Sequence, residues 1–313
     1  MDKTYILFNR YAGHGKATHE AKQLSLGIDN AELVDMTKID GYADFFRSID
    51  STDDVIICGG DGTLNRFIND AQGVTFENKI YYYAIGSGND FARELGKERA
   101  AKPNFPINKY LTDLPTVRVK LQGMDAAVER VFLNGIGYGI DGYCCEMGDI
   151  QREKNEKEGT DKPIDYTAIA IKGLLFDYKP TGAKVTVDGK EYTYKKVWIA
   201  PTMNGKYYGG GMIPTPDQER LGKDGEKKLS LMVFHDSSKL GTLMIFPSMF
   251  KGEHVKHEKY VTVLEGKEIK VEFTEPRPLQ IDGETLLGVK SYTAKVAEAV
   301  NAKTEEAEAC AKA

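Results

Sequence analysis

The chain has 313 residues, 41% of them hydrophobic and 28% charged; this is ordinary for a globular protein and long for one core, so two domains are expected. A formal charge of −5 argues against a nucleic-acid protein and against docking by overall charge, and no apolar run reaches the length of a membrane span. Cys58, Cys144, Cys145 and Cys310 have no metal-ligand spacing, and with no signal-peptide pattern at the start they read as free thiols of a reducing cytoplasm.

Residues 4–9 are predicted as a strand, residues 10–16 as a glycine-bearing loop and residues 17–26 as a helix. Gly13-His14-Gly15-Lys16 has neither the spacing of a Walker loop nor the third glycine of a dinucleotide fingerprint, so alone it reads as a surface turn. Residues 31–36 form a second predicted strand. Tyr42, Phe45, Phe46 and Ile49 then mark one face of a helix. Residues 55–58 are a short β-branched run, the pattern of a strand buried on both faces. Gly59-Gly60-Asp61-Gly62-Thr63 follows at once, and Leu64, Phe67, Ile68 and Ala71 recur at helical spacing. Three glycines thus surround one carboxylate at a strand-to-helix turn. Glycine lets an anion approach the backbone, and a helix N-terminus suits a phosphate. Asp61 alone would repel that phosphate; it fits if it binds Mg²⁺ or accepts a proton from an attacking hydroxyl. The plainer alternative is a tight turn capped by Asp61.

Residues 80–85 are a fourth strand, and a third glycine loop runs from Gly86 to Arg93. Alternating strands and helices predict a parallel sheet with helices on both faces. The loops after Phe8, Cys58 and Ile85 then share the carboxyl edge, where such sheets bind ligands. From Thr116 the pattern changes to short alternating strands, at 117–121, 126–133, 183–194, 197–200, 229–234, 260–264 and 268–273, which predicts an antiparallel sandwich. Between them, residues 149–162 read as a solvated charged loop or helix and 165–178 as an amphipathic helix. Asp188-Gly189 and Asp282-Gly283 read as hairpin turns. His254 and His257, in a Lys-rich stretch without a third ligand, read as surface histidines.

Taken together, these motifs resemble the diacylglycerol kinase catalytic domain family, which includes bacterial lipid kinases and is related to sphingosine kinases. Gly59–Thr63 resembles the family signature, which NAD kinases share. Asn9, Gly13 and Gly15 match the first motif, Asn-Pro-x-Ser-Gly-x-Gly, from which Arg10 and Ala12 depart. The third loop resembles Pro-x-Gly-Thr-x-Asn-Asp-Phe-Ala-Arg, with Ala84 for Pro and Ser87 for Thr, and this motif separates lipid kinases from NAD kinases. Asn134 to Asp141 and Asn204 to Gly211 resemble two further motifs, with Gly142 in place of the usual Ala. Asp224-Gly225 stands where some members hold a structural Mg²⁺, and the family also places an Asp-Gly-Glu where Asp282-Gly283-Glu284 lies.

The resemblance implies an N-terminal Rossmann-like parallel α/β domain (residues 1–115), a C-terminal antiparallel β-sandwich lipid domain (116–300) and a polar tail (301–313). It implies ATP and Mg²⁺ as cofactors. ATP would contact Asn9, Gly13, Gly15, Lys16, Gly59, Gly60, Gly62, Thr63, Gly86, Ser87, Asn89 and Arg93. Mg²⁺ would be held through water by Asp61, Asp90 and Asp141. Asp61 or Asp282 would accept the hydroxyl proton, with Glu284 completing a second acidic pair. The expected acceptor is a membrane lipid, foremost diacylglycerol to give phosphatidic acid. Sphingoid bases, phosphatidylglycerol and other lipid alcohols stay open, because apolar lining discriminates weakly by sequence. The protein is expected in the cytoplasm with transient contact at the inner membrane face, and exposed sheet edges are compatible with a homodimer. The rivals are an NAD kinase-like enzyme and a non-catalytic nucleotide-binding regulator of the same fold.

Overall fold

The computed structural model describes residues 2–86, 88–96, 105–160, 162–223 and 225–297. Four strands form the first sheet: β1 (Thr4–Phe8), β2 (Ala31–Asp35), β3 (Asp54–Gly59) and β4 (Lys79–Ala84), all parallel, in the order β2-β1-β3-β4. Alternate residues of β1 and β3 face opposite ways, as the two-residue period of a strand requires. Ile6, Phe8, Ile56 and Cys58 pack with Ala21 of α1 (Lys16–Ser25). Tyr5, Leu7, Val55 and Ile57 pack on the other face with residues of α2 (Tyr42–Ser48), α3 (Asp61–Asp70) and α4 (Asp90–Leu95). The expected layer of helices on both faces is therefore present, and the three glycine loops leave from one edge.

The second sheet has ten strands, every pairing antiparallel. They are β5 (Thr116–Leu121), β6 (Val128–Val131), β7 (Gly135–Tyr138), β8 (Thr181–Val187), β9 (Lys190–Ile199), β10 (Thr202–Met203), β11 (Leu229–His235), β12 (Val261–Gly266), β13 (Glu268–Ile281) and β14 (Glu284–Lys295). β13 serves two neighbours in turn, pairing β8 through residues 269–273 and β7 through residues 279–281. Its ladder to β14 shifts register between Glu272 and Arg277 and again before Leu279, around Pro276 and Pro278. Proline has no N–H to give a ladder, so the strand bends there and folds the sheet back on itself. Twenty-two buried side chains, among them Tyr138, Val185, Leu231 and Tyr292, fill the space enclosed.

Three departures from the sequence reading have physical causes. The charged stretch is the second half of a helix that begins earlier, Ile140–Lys157. Gly142 and Gly148 weaken the helical pattern, yet both are needed: a Cβ at Gly142 would strike the Pro278 carbonyl, and one at Gly148 would lie 2.6 Å from the Tyr166 ring. The amphipathic helix is two pieces, Tyr166–Lys172 and a π-helical Gly173–Asp177. His254 is buried rather than on the surface, its Nε2 2.9 Å from the Pro214 carbonyl, and burial lowers its pKa. His257 is exposed, as expected.

Candidate active site

The first two-loop contact is backbone on backbone. A Cβ on Gly86 would lie 2.7 Å from the Gly60 Cα, and one on Gly60 would lie 3.0 Å from the Gly86 Cα. Glycine at both positions lets the second and third loops touch without an intervening side chain. Gly86→Ala is therefore expected to destabilise by about 1–3 kcal/mol through overpacking. Gly62, on α3 with open space around it, is the internal control. Gly62→Ala should be neutral or stabilising by up to about 1 kcal/mol, and denaturant titration of both variants tests the contrast.

Asp61 sits in the first turn of α3, but its carboxylate caps a different helix. Oδ2 accepts from the Asp90 N–H at 2.8 Å and Oδ1 from the Phe91 N–H at 3.1 Å, the first free donors of α4. Asn89, the residue at that N-cap, is left-handed (φ 49°) and makes no cap bond; its amide donates to the Gly86 carbonyl at 2.6 Å. The cap of α4 is thus supplied from the neighbouring loop. Asn134 Nδ2 donates a third bond to Asp61 Oδ1 at 3.3 Å, from the connection into β7.

Asp90 is buried. Its Oδ2 accepts from the Gly210 N–H at 2.9 Å, while its Oδ1 has no hydrogen-bond partner among the described residues. Burial and the nearby Asp61 charge push its pKa up to about 6, opposed by the Gly210 N–H and by Arg93. Asp141, in the first turn of helix Ile140–Lys157, accepts from Gln280 Nε2 at 2.9 Å; burial, with the charge on Asp90, pushes it up to about 6 as well. Asp61, Asp90 and Asp141 therefore share one electrostatic neighbourhood. A Cβ on Gly88 would lie 3.5 Å from Asp61 Oδ2 and 3.7 Å from Asp90 Oδ2, so Gly88 keeps the space over both carboxylates open. Among the described residues, no three His, Cys, Asp or Glu side chains form a direct metal cage. Mg²⁺ does not need one, because it keeps several waters and takes one or two carboxylates plus phosphate oxygens. The unpartnered Asp90 Oδ1 beside Asp141 fits that demand.

The two acids at the last hairpin have different settings. Asp282 (φ 48°) and Gly283 (φ 92°) make the tight β13–β14 turn. Asp282 Oδ1 accepts from the Asn134 and Gly135 N–H groups at 2.8 and 2.9 Å. Its Oδ2 accepts from the Leu133 N–H at 2.5 Å and from Asn65 Nδ2 at 2.7 Å. Burial raises its pKa and these donors lower it. Four donors fill the four acceptor directions of a carboxylate, which makes Asp282 a strut between α3 and β7. Glu284 pairs with Arg130 of β6 and is about half exposed, outside the buried acids.

Of the other expected residues, Thr63 is buried, its hydroxyl where a Cβ on Gly59 would fall. Gly13 and Gly15 have φ of 59° and 86°, and Gly15 is the N-cap of α1, with Lys16 exposed in its first turn. Asn9 Oδ1 accepts from the Tyr11 N–H at 3.0 Å and so shapes this loop. Arg93 is exposed, its guanidinium against Gly211. Ser87 and Asp224 lie outside the described residues, as does the tail from residue 298 onward.

Sequence reading missed the support beneath Asp61. Arg220 is buried and pairs bidentately with Glu94 of α4, at 3.2 and 2.7 Å. The same guanidinium donates to Asn134 Oδ1 at 2.8 Å and to the Leu133 carbonyl, and stacks 5.0 Å from the Phe91 ring centroid. Asn69 of α3 exchanges bonds with the backbone of Val131 at 3.0 and 3.1 Å. A pair 126 residues apart leaves no local pattern.

These features define a protein in which glycine loops of a parallel α/β layer and acids from an antiparallel layer meet at one site. The family model described as the diacylglycerol kinase catalytic domain matches residues 3–115. The model described as the YegS C-terminal NAD kinase beta sandwich-like domain matches residues 142–301. The chain belongs to the diacylglycerol kinase family, whose members are kinases. A curated relative, the diacylglycerol kinase of Mycobacterium tuberculosis, is 26% identical over 87% of this chain and 85% of its own. A solved structure of a diacylglycerol kinase from Bacillus anthracis shares the fold, with a TM-score of 0.56 at 21% identity over 95% of each chain.

Proposed function

We propose that the protein transfers the γ-phosphate of ATP to a lipid hydroxyl, foremost that of diacylglycerol to give phosphatidic acid. The observation that carries this reading is the cross-sheet setting of Asp61. Three donors occupy three of its four acceptor directions, and one on Oδ2 stays open beside Gly88. Asp282 has none open, so Asp61 is the acid that accepts the proton of the attacking hydroxyl. The glycine loops after β1, β3 and β4 let the nucleotide phosphates approach backbone, and the first N–H groups of α3 face the same edge. Asp90 and Asp141 would hold Mg²⁺, whose part is to neutralise charge on the phosphates. Phosphoryl transfer otherwise needs positioning, which the Arg220–Glu94–Asn134 support provides.

Transfer of labelled phosphate from ATP-Mg to a panel of lipids in mixed micelles, with NAD in a parallel tube, tests the reading. A labelled lipid is expected. Label in NAD alone would sink the lipid assignment.

The two raised acids also predict a pH dependence in the metal-free protein. Their folded pKa values, about 6, stand above the ordinary 3.8, so their contribution to stability is complete below about pH 4 and is lost as pH rises through 6. Asp141→Asn removes one of them. Between pH 4 and 6 the parent should lose stability relative to that variant by up to about 1.4 kcal/mol per pH unit, read from urea melts in chelator.

A further inference from the structure

Resting on the ATP-kinase reading, we propose that Arg10 is a further nucleotide-binding residue, which holds the phosphates that stay behind as ADP, and that Asp35 positions it. Arg10 lies in the loop after β1, where the first motif of the family has proline. The backbone accounts for that proline. The Ala12 N–H donates to the Asn9 carbonyl at 3.0 Å, and Tyr11 has φ −89° and ψ −11°. This is a type I turn with Arg10 as its second residue, the place that proline favours. Here the Asn9 side chain also braces the turn, accepting from the Tyr11 N–H. The turn forms without proline, and its second residue is free to carry a side chain that binds.

Asp35 closes β2 level with Phe8, the last residue of β1, and its side chain is only 9% exposed. Its Oδ1 accepts from the Thr37 N–H at 3.0 Å and from the Thr37 hydroxyl at 2.8 Å. Its Oδ2 accepts from Arg10 Nε. The guanidinium is thus anchored by one nitrogen, and both its Nη atoms are without a partner among the described residues. Arg220 is the contrast within the chain, with Nε, Nη1 and Nη2 all engaged and the whole side chain buried. Arg220 is a support, whereas Arg10 is a fork held by its stem and left 39% exposed. A planar fork of N–H donors matches a phosphate group. Residues 9–17 add Lys16 and contain no acid.

Place decides which phosphates these are. The loop after β1 lies beside the loop after β3, which carries Asp61, and two strands from the loop after β4, which carries Asp90. Neighbouring strands are about 4.8 Å apart. A nucleotide laid along this edge with its γ-phosphate at the acids has its other phosphates toward β1. Arg10 meets those, so it binds ATP and ADP alike.

Calorimetric titration of the full chain with ADP and with ATP, in Mg²⁺ and without lipid, tests the proposal. Arg10→Pro puts the family residue at a turn position that suits it, and Arg10→Gln leaves the backbone untouched. Each should bind both nucleotides about tenfold or more weakly than the parent. The KM for ATP should rise by the same order. Asp35→Asn should weaken ADP binding by less. In an Arg10→Pro background it should add nothing, because Asp35 acts through Arg10. Equal ADP binding by the parent and both Arg10 variants would overturn the proposal. So would unchanged ADP affinity with a fall in kcat, which assigns Arg10 to the transferred phosphate. A further loss from Asp35→Asn in the Arg10→Pro background would remove its positioning role. Failure of the kinase reading looks different: the parent would then bind ADP and label no lipid. A parent that binds neither nucleotide would overturn both.

Discussion

Asp61→Asn is expected to lower turnover by about 10²-fold or more while ATP still binds. The amide keeps the size of the carboxylate and loses its charge. One of its two terminal atoms becomes a donor, facing either the Asp90 or the Phe91 N–H. The open acceptor direction beside Gly88 loses its basicity, and with it the route for the hydroxyl proton. A thermal melt separates the two effects, because a lost cap costs about 0.5–2 kcal/mol and leaves a folded protein. Turnover equal to that of the parent would remove Asp61 from the mechanism. Loss of ATP binding together with turnover would assign it to loop structure alone.

The second large effect is expected at Arg220. Arg220→Ala leaves the partly buried Glu94 with the Lys206 N–H as its remaining partner, and stranding such a charge costs about 1–3 kcal/mol. The variant also frees Asn134, whose amide is oriented by Arg220 on one side and donates to Asp61 on the other, so residual folded protein should turn over slowly. Glu94→Gln/Arg220→Met removes the stranded charge as well as the pair. It should therefore be more stable than Arg220→Ala and remain slow. Urea unfolding and steady-state kinetics on the three proteins give both answers. If Arg220→Ala unfolds like the parent, the pair is not the support described.

The first sheet was legible because its signals are local. Short, largely continuous apolar runs marked β1, β3 and β4, and the residues after them marked the helices α1 to α3. The glycine motifs likewise located Asp61 and Asp90, since a strand-to-helix turn is written in adjacent residues. What holds those acids was not legible. Asp61 caps a helix that begins 29 residues later, and Glu94 meets Arg220 across 126. Helix Ile140–Lys157 was half hidden because Gly142 and Gly148 are there for close packing against Pro278 and Tyr166, and glycine in a helix reads as a break. His254 was misplaced for a related reason. Its lysine neighbours suggest solvent, while its own ring is turned inward to the Pro214 carbonyl.

The Asp282 strut has a consequence for synthesis on the ribosome. The bond from Asn65 to Asp282 spans 217 residues, and it fixes the backbone at Leu133–Gly135, beside the asparagine that reaches Asp61. All three glycine loops emerge early, with the four strands of the first sheet. Asp61 takes its third donor from Asn134, and the backbone of that asparagine gains its Asp282 partner only after the final hairpin has left the exit tunnel and closed back. A chain that stops between Gly211 and that hairpin would carry every glycine motif and still lack the carboxylate that holds Leu133–Gly135, so the last turn to be synthesised is the one that completes the support beneath the first motifs.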